Sequence, residues 1–517
     1  MLLQLCLWNP MPTSDRKNWI STVVCSATLL LLGFVFVLQL EPAPRVGDGA
    51  EYYIMTFAWA EKLQPYADPE IDRLYDQYCY RHDSTFLNSA ELHPFSSGLT
   101  TGQQRDFPHF WFYSLLAAPF YLLLNSIGCD IGYCFPLLHL TLFGWLLSVA
   151  GRHFGKRGLL IGTVICFASP VLWFFDKAHT EFFTVTVASI GILYFLKEKY
   201  AKSFVAFCLV STQNPPFGII ALLVAGFGIK KDSATLKKSW PLLAVGIFIA
   251  SLHPCYYFAR FGQITPQLIT GAASSSAKGW RELTCFLIDP DVGLFSNWPW
   301  LLIPLLCVVL FALLKYHPTN WWTVSFTILS LAILCWAQSK TNNFNHGGTV
   351  KISRYALWYI PFFVPLLLQF AANYRLVPIW QRGIVFVFLL GAVYVNSSKF
   401  NPQRSESYLY PTTIAENFYE RLPHWYDPIP EIFIERCVRA ELPSDAWAVS
   451  NRSGSKIIVH RGRLRKQQNW LKKGKSLEPI SGIENNVQAE ELVHYINGHV
   501  ELPDEPVWFY VNRTDEN

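Results

Sequence analysis

Apolar runs free of charge recur along this chain, and they limit its fold more than any other feature. A helix needs about 20 predominantly apolar residues to cross a bilayer, because the hydrocarbon core offers no water and each backbone N–H and C=O must be satisfied within the helix. The run at 19–40 follows Arg16 and Lys17 and holds no charged residue. It is longer than the apolar core of about 7–15 residues in a signal peptide, and no small-x-small cleavage site precedes Glu41. It therefore reads as an uncleaved anchor. Further runs fall at about 131–150, 158–174, 182–196, 203–213, 216–229, 240–257, 298–314, 321–337, 356–371 and 383–395. Only 15% of the 517 residues are charged, against about 25% in an average soluble domain. The expected fold is mainly α: a polytopic helical membrane protein of about eleven spans.

One more run, at 108–126, sets the orientation of everything after it. If it only lies along or dips into the membrane, the basic loops at 152–157, 197–199, 230–238, Lys315 and 375–382 share a side with Arg16 and Lys17, as the positive-inside rule requires. If it crosses, those loops face outside. The expected topology therefore has a cytoplasmic amino terminus and spans 1–395 as a membrane domain, including an outer loop at 41–130. From 396 to 517 the composition is polar, with short strand-like runs at 446–449, 457–459 and 507–511. This stretch is expected to be a small α+β domain on the outer, periplasmic side of a bacterial inner membrane. Its basic run at 461–475 faces solvent by default, or else anionic lipid or an acidic glycan. A net charge of +5, from 42 basic and 37 acidic residues, is too slight to argue for a nucleic-acid partner. No Cys-x-x-Cys occurs among the 12 cysteines, so neither a zinc site nor a disulfide framework is expected.

In this topology three polar segments reach the outer face. The first, Gly47-Asp48-Gly49-Ala50-Glu51-Tyr52-Tyr53, sets two carboxylates three residues apart, on one face of a helix. The second, Trp173-Phe174-Phe175-Asp176-Lys177-Ala178-His179-Thr180-Glu181-Phe182, packs acids, a base and an imidazole between aromatic rings at a membrane boundary. Ionisable groups at such depth tend to be paired and functional, although Lys177 can equally serve to neutralise Asp176 or Glu181. The third holds His346, Gly347 and Gly348 before Lys351 and Arg354. A Gly-Gly turn with two cations suits a phosphate, while an Arg at a helix end also snorkels to lipid headgroups. Gln213-Asn214-Pro215-Pro216 reads either as a break between two half-helices or as a tight loop. Asp48, Glu51, Asp176 and Glu181 are the candidate catalytic acids, and His179, His346, Lys351 and Arg354 the candidate substrate- or phosphate-binding groups. A carboxylate that takes the proton of an acceptor hydroxyl, with cations on a departing phosphate, suits glycosyl transfer from a lipid phosphate. Intramembrane acids and a broken helix would also suit a transporter or flippase of a lipid-linked glycan. A scaffold that binds partners through its tail is the third reading.

This order of elements resembles the GT-C glycosyltransferases, the superfamily of protein mannosyltransferases, aminoarabinose transferases and oligosaccharyltransferase catalytic subunits. Asp48 and Glu51, then Asp176, His179 and Glu181, then Gly347-Gly348 through Arg354-Tyr355 carry the resemblance, over roughly 19–395. The resemblance implies an inverting transferase that uses a polyprenyl-phosphate-linked sugar and a lipid, glycan or protein acceptor. It makes Asp48 the base and sets Arg354 on the lipid phosphate. The chain has Asp-Gly-Ala-Glu in place of the adjacent acidic pair of protein mannosyltransferases, and it lacks the Trp-Trp-Asp signature of oligosaccharyltransferases. Some members of the superfamily need a divalent cation, for which Asp48, Asp176 and Glu181 are candidate ligands.

Overall fold

The structure, a computed structural model, describes residues 13–40, 48–82, 88–93, 98–270, 279–313, 320–345, 349–374, 378–440, 448–459 and 507–510. The basic run at 461–475 and the Gly347-Gly348 turn lie outside them. The chain is mainly helical and divides into two compact units. Met1–Ala273, Trp300–Ala337 and Leu357–Arg404 form the first; Ser274–Pro299, Gln338–Ala356 and Ser405–Asn517 form the second.

In chain order the elements are α1 (Thr13–Gln39), α2 (Gly49–Lys62), α3 (Pro69–His82), α4 (Ser89–Leu92), the hairpin β1 (Thr100–Thr101) and β2 (Gln104–Arg105), α5 (Phe112–Ser126) and α6 (Cys134–Phe167). They continue with α7 (Thr180–Leu196), α8 (Tyr200–Ser211), α9 (Pro216–Lys238), α10 (Trp240–Phe261), α11 (Pro266–Thr270), α12 (Trp280–Ile288), α13 (Leu294–Asn297), α14 (Leu302–Leu313) and α15 (Trp321–Gln338). After a 3-10 helix at Arg354–Phe363 come α16 (Val364–Asn373), α17 (Ile379–Lys399), α18 (Thr413–Arg421), α19 (Pro430–Val438), β3 (Ala448–Ser450), β4 (Lys456–Val459) and β5 (Val507–Tyr510).

Among the described residues, five helical stretches are long and apolar enough to cross a membrane: Thr22–Gln39, Ile131–Phe167, Trp240–Phe261, Trp321–Gln338 and Arg354–Asn373. The second of these folds back on itself. At Gly155 the backbone takes φ 59° and ψ −144°, a conformation that glycine adopts without a side-chain penalty. Beyond it, Gly158 faces the carbonyl of Ala150 so closely that a Cβ would sit 2.1 Å from the oxygen, and Gly162 faces Leu146 and Leu147. The two limbs of α6 are therefore antiparallel, and they correspond to the separate apolar runs at 131–150 and 158–174. Against α1, Gly144 packs on Leu30 and Gly151 on Thr22, while Gly33 packs on Leu140. As one index rises the other falls, so α1 and the first limb of α6 are antiparallel. The ambiguous run becomes α5, 15 residues long, or about 22 Å at 1.5 Å per residue. That is short of the hydrocarbon core of about 30 Å.

The Gln213 to Pro216 segment is a tight turn between α8 and α9, with Asn214 buried and Pro215 exposed. Asn214 donates from its side chain to Thr184 Oγ1 at 2.6 Å, and His253 Nδ1 on α10 lies 2.9 Å from the carbonyl of Thr212. Phe195, Phe207, Phe217, Phe326 and Phe362 form the aromatic centre of this unit, with the rings of Phe195 and Phe326 stacked at 3.9 Å.

In the second unit β3, β4 and β5 form one antiparallel sheet, with Val449 opposite Ile458 and Ile458 opposite Trp508. Its core joins Val449 and Ile458 to Ala415, Tyr419, Phe433 and Ile434 of α18 and α19. The tail shares this unit with residues 274–299 and 338–356, and a buried polar network ties the three segments together. Arg436 Nε meets Asp291 Oδ2 at 2.6 Å with both side chains fully buried, and Arg436 Nη1 donates to Asn345 Oδ1 at 2.8 Å. Asp291 Oδ1 also accepts from the backbone of Thr412 at 2.6 Å. Removing one partner of a buried ion pair strands the other, at about 3–5 kcal/mol. Arg436→Met should destabilise the second unit by that order, read as faster limited proteolysis of the tail and a lower unfolding midpoint of the full-length protein. Adding Asp291→Asn should recover part of the loss, since no carboxylate is then left buried without its partner.

Candidate functional site

The first acidic motif builds its site from the start of α2. Asp48 is the residue before the helix, and its carbonyl accepts from the backbone N–H groups of Glu51 at 3.0 Å and Tyr52 at 3.3 Å. Its side chain does not cap the helix. It points instead to His109, whose Nε2 lies 3.0 Å from Asp48 Oδ2, while Nδ1 lies 2.7 Å from Glu51 Oε2. Asp48 and His109 are each about a quarter exposed, whereas Glu51 is buried. A single imidazole thus spans both carboxylates.

The segment that carries His109 is fixed from both sides. Asp106, buried, takes Arg260 Nη2 at 2.7 Å and the hydroxyl of Tyr256, both from α10. Tyr257 of the same helix donates to the carbonyl of Phe107 at 2.9 Å. On the other side α5 joins α2 through Ser114 Oγ, which donates to the carbonyl of Tyr52 at 2.9 Å. Burial alone lowers the pKa of His109, but the charges of Asp48 and Glu51 outweigh it and raise the value to about 10. The ring is a cation at neutral pH, donating from both nitrogens.

The second motif lies beside the first. Tyr52 places its ring 5.3 Å from that of His109 and 6.4 Å from that of His179. His179, buried just before α7, holds Nδ1 3.4 Å from Glu181 Oε2, also buried. A chain of hydrogen bonds positions this segment. His139 Nδ1 lies 2.7 Å from the carbonyl of Phe175, which can only accept, so Nδ1 carries the proton. Its Nε2 then accepts from the hydroxyl of Tyr113 at 2.6 Å. Asp176 takes a different route: Lys177 Nζ sits 2.5 Å from its Oδ1 and 2.5 Å from the carbonyl of Pro402, over the ring of Trp173 at 4.7 Å. Burial raises the pKa of Asp176 against the opposing pull of Lys177.

Asp48 and Glu51 therefore share one cluster, and His179 and Glu181 border it through Tyr52. Asp176 is engaged with Lys177. Lys351 and Arg354 belong to the second unit, where Lys351 donates from Nζ to the carbonyl of Pro411 at 3.0 Å and Arg354 opens the 3-10 helix. His346 lies outside the described residues. The residue that the sequence did not single out is His109. Its sole signal was an imidazole at the polar edge of the run at 108–126, far in sequence from both acids. Among the described residues, the group whose ligand atoms lie close enough to share one metal ion is Asp48, Glu51 and His109, within 4.8 Å of one another. This set keeps Asp48 from the sequence-based one and replaces Asp176 and Glu181. No protein-family model, curated protein or solved structure matches the chain.

The charge state of His109 sets a pH dependence. Its folded pKa of about 10 stands above the ordinary histidine value of about 6.5. The stabilisation is therefore complete below about pH 6.5 and is lost as pH rises through about 10. The unfolding midpoint of the detergent-solubilised protein should fall across that window, and His109→Gln should flatten the fall. Identical profiles for the two proteins would contradict the assignment.

Proposed function

We propose that this protein is a membrane-embedded inverting glycosyltransferase of GT-C type, which moves a sugar from a polyprenyl-phosphate carrier to a lipid, glycan or protein acceptor. The observation that carries the reading is the Asp48, His109 and Glu51 cluster bordered by His179 and Glu181. It brings the two acidic motifs together at the starts of α2 and α7, with the Asp48 carboxylate about a quarter exposed. In the proposed reaction Asp48 accepts the proton of the acceptor hydroxyl. The acceptor oxygen bonds to the anomeric carbon from the face opposite the phosphate, the bond from carbon to phosphate oxygen breaks, and the phosphate leaves with the electron pair. Glu51 keeps His109 charged, and His109 fixes the orientation of Asp48. Arg354 is the proposed partner of the lipid phosphate, a role that suits a guanidinium because its donors match phosphate oxygens in pairs.

Two carboxylates and an imidazole form a donor set that fits a divalent cation. Held by Asp48, Glu51 and His109, it would supply a Lewis acid for phosphate oxygens. His109 would give up its ring proton to ligate it.

The proposed setting is a bacterial inner membrane, with about eleven spans, a cytoplasmic amino terminus and a periplasmic carboxyl-terminal domain. The antiparallel pairing of α1 with the first limb of α6 supports one part of this topology, that α5 does not cross. Two successive crossings run in opposite directions, and a full crossing by α5 between them would have made the pair parallel.

General base catalysis contributes about 10²–10⁴-fold. Asp48→Asn should lower transfer of labelled sugar from a polyprenyl-phosphate donor by that factor, with the protein still folded and donor binding largely intact. Transfer at the wild-type rate would sink the role given to Asp48.

A further inference from the structure

The first unit holds a second candidate site, whose lining includes none of Asp48, Glu51 and His109. It is an open cleft of about 960 Å³ between α3 and the β1–β2 hairpin, at the upper end of the range of about 300–1,000 Å³ that holds small-molecule ligands. Arg73, Gln77 and Arg81 line it from α3 at intervals of four residues, so they share one helix face. The first and last are about 12 Å apart along the axis at 1.5 Å per residue. Both arginines are exposed, and neither has an ion-pair partner among the described residues. The two acids of the same wall are occupied. Asp72 is held by Arg105, and Asp76 accepts from the backbone and hydroxyl of Ser89 at 2.7 and 2.6 Å.

Arg105 closes the floor. It is 2% exposed, it bonds Asp72 and the carbonyl of Ser89, and its Nε is buried without a hydrogen-bond partner. Tyr80, 89% exposed, stands at the same rim. An aromatic ring offers an apolar face with a polar tip, which matches the faces of a sugar ring.

We propose that this cleft binds an anionic saccharide, a sugar chain that carries carboxylate or phosphate groups. Arg73 and Arg81 take successive anionic groups and Tyr80 stacks on a ring between or beside them. Guanidinium groups bind both kinds of oxyanion in pairs of hydrogen bonds, so the shared chemistry is the oxyanion on a sugar. Binding needs no turnover, and the inference stands apart from the transferase reading.

The test uses the full-length protein in nanodiscs with three labelled probes: tetragalacturonate, mannopentaose phosphate and neutral maltotetraose. At least one anionic probe should bind in a salt-sensitive manner, and the tighter of the two identifies the oxyanion. Arg73→Gln with Arg81→Gln should weaken that binding at least tenfold with an unchanged unfolding midpoint, because both side chains are exposed. Tyr80→Ala should weaken it as well. Binding of neither anionic probe, equal binding of maltotetraose, or full affinity in the double arginine variant would each overturn the proposal.

Discussion

Backbone groups that find no water must be satisfied by one another, and that constraint governs how the first unit is built. In apolar surroundings each peptide closes its hydrogen bond within a helix, so a change of direction needs a device at every turn. Gly155 turns α6 back on itself through a positive φ. Asn214 and Thr212 meet Thr184 and His253 where α8 gives way to α9. The carbonyl of Phe175, just before α7, is bonded by His139. Polar side chains therefore concentrate at helix ends, and so does the candidate chemistry.

The acidic cluster follows the same logic. Two carboxylates one helical turn apart repel each other, and burial of Glu51 raises that cost. His109 offsets it by bonding one carboxylate with each ring nitrogen. The result is a compact anionic site with a net charge of about −1, in which Glu51 is enclosed and Asp48 is about a quarter exposed. Tyr52, next in the chain after Glu51, extends the site to His179 and Glu181. Asp176 is different in kind, because its neighbour Lys177 neutralises it within the core. The two acids of the second motif thus have separate surroundings although only five positions divide them.

Much of this was legible in the sequence. Helix positions followed from uncharged runs, since length without charge is a strong signal, and the runs at 446–449, 457–459 and 507–511 fall at the three strands of one sheet. The pairing of Asp48 with Glu51 followed from helical spacing. His109 did not, because its contact with them depends on where α5 packs against α2, and no local pattern records a contact across that separation. The association of the tail with residues 274–299 and 338–356 was hidden for the same reason. It rests on Arg436, Asp291 and Asn345, three residues that look unremarkable in their own segments. Local spacing also gave Asp176 and Glu181 equal standing, and only the packing of Lys177 against Trp173 and Pro402 separates them.

The central claim is that the acidic cluster serves inverting sugar transfer from a lipid phosphate. The most direct measurement is to incubate the purified protein with a polyprenyl-phosphate sugar of known anomeric configuration and a panel of lipid, glycan and peptide acceptors, and to determine the configuration of the linkage formed. A glycosylated product with inverted configuration is expected. A product that retains the donor's configuration, or transport of the donor across a vesicle membrane with no product on any acceptor, would contradict it.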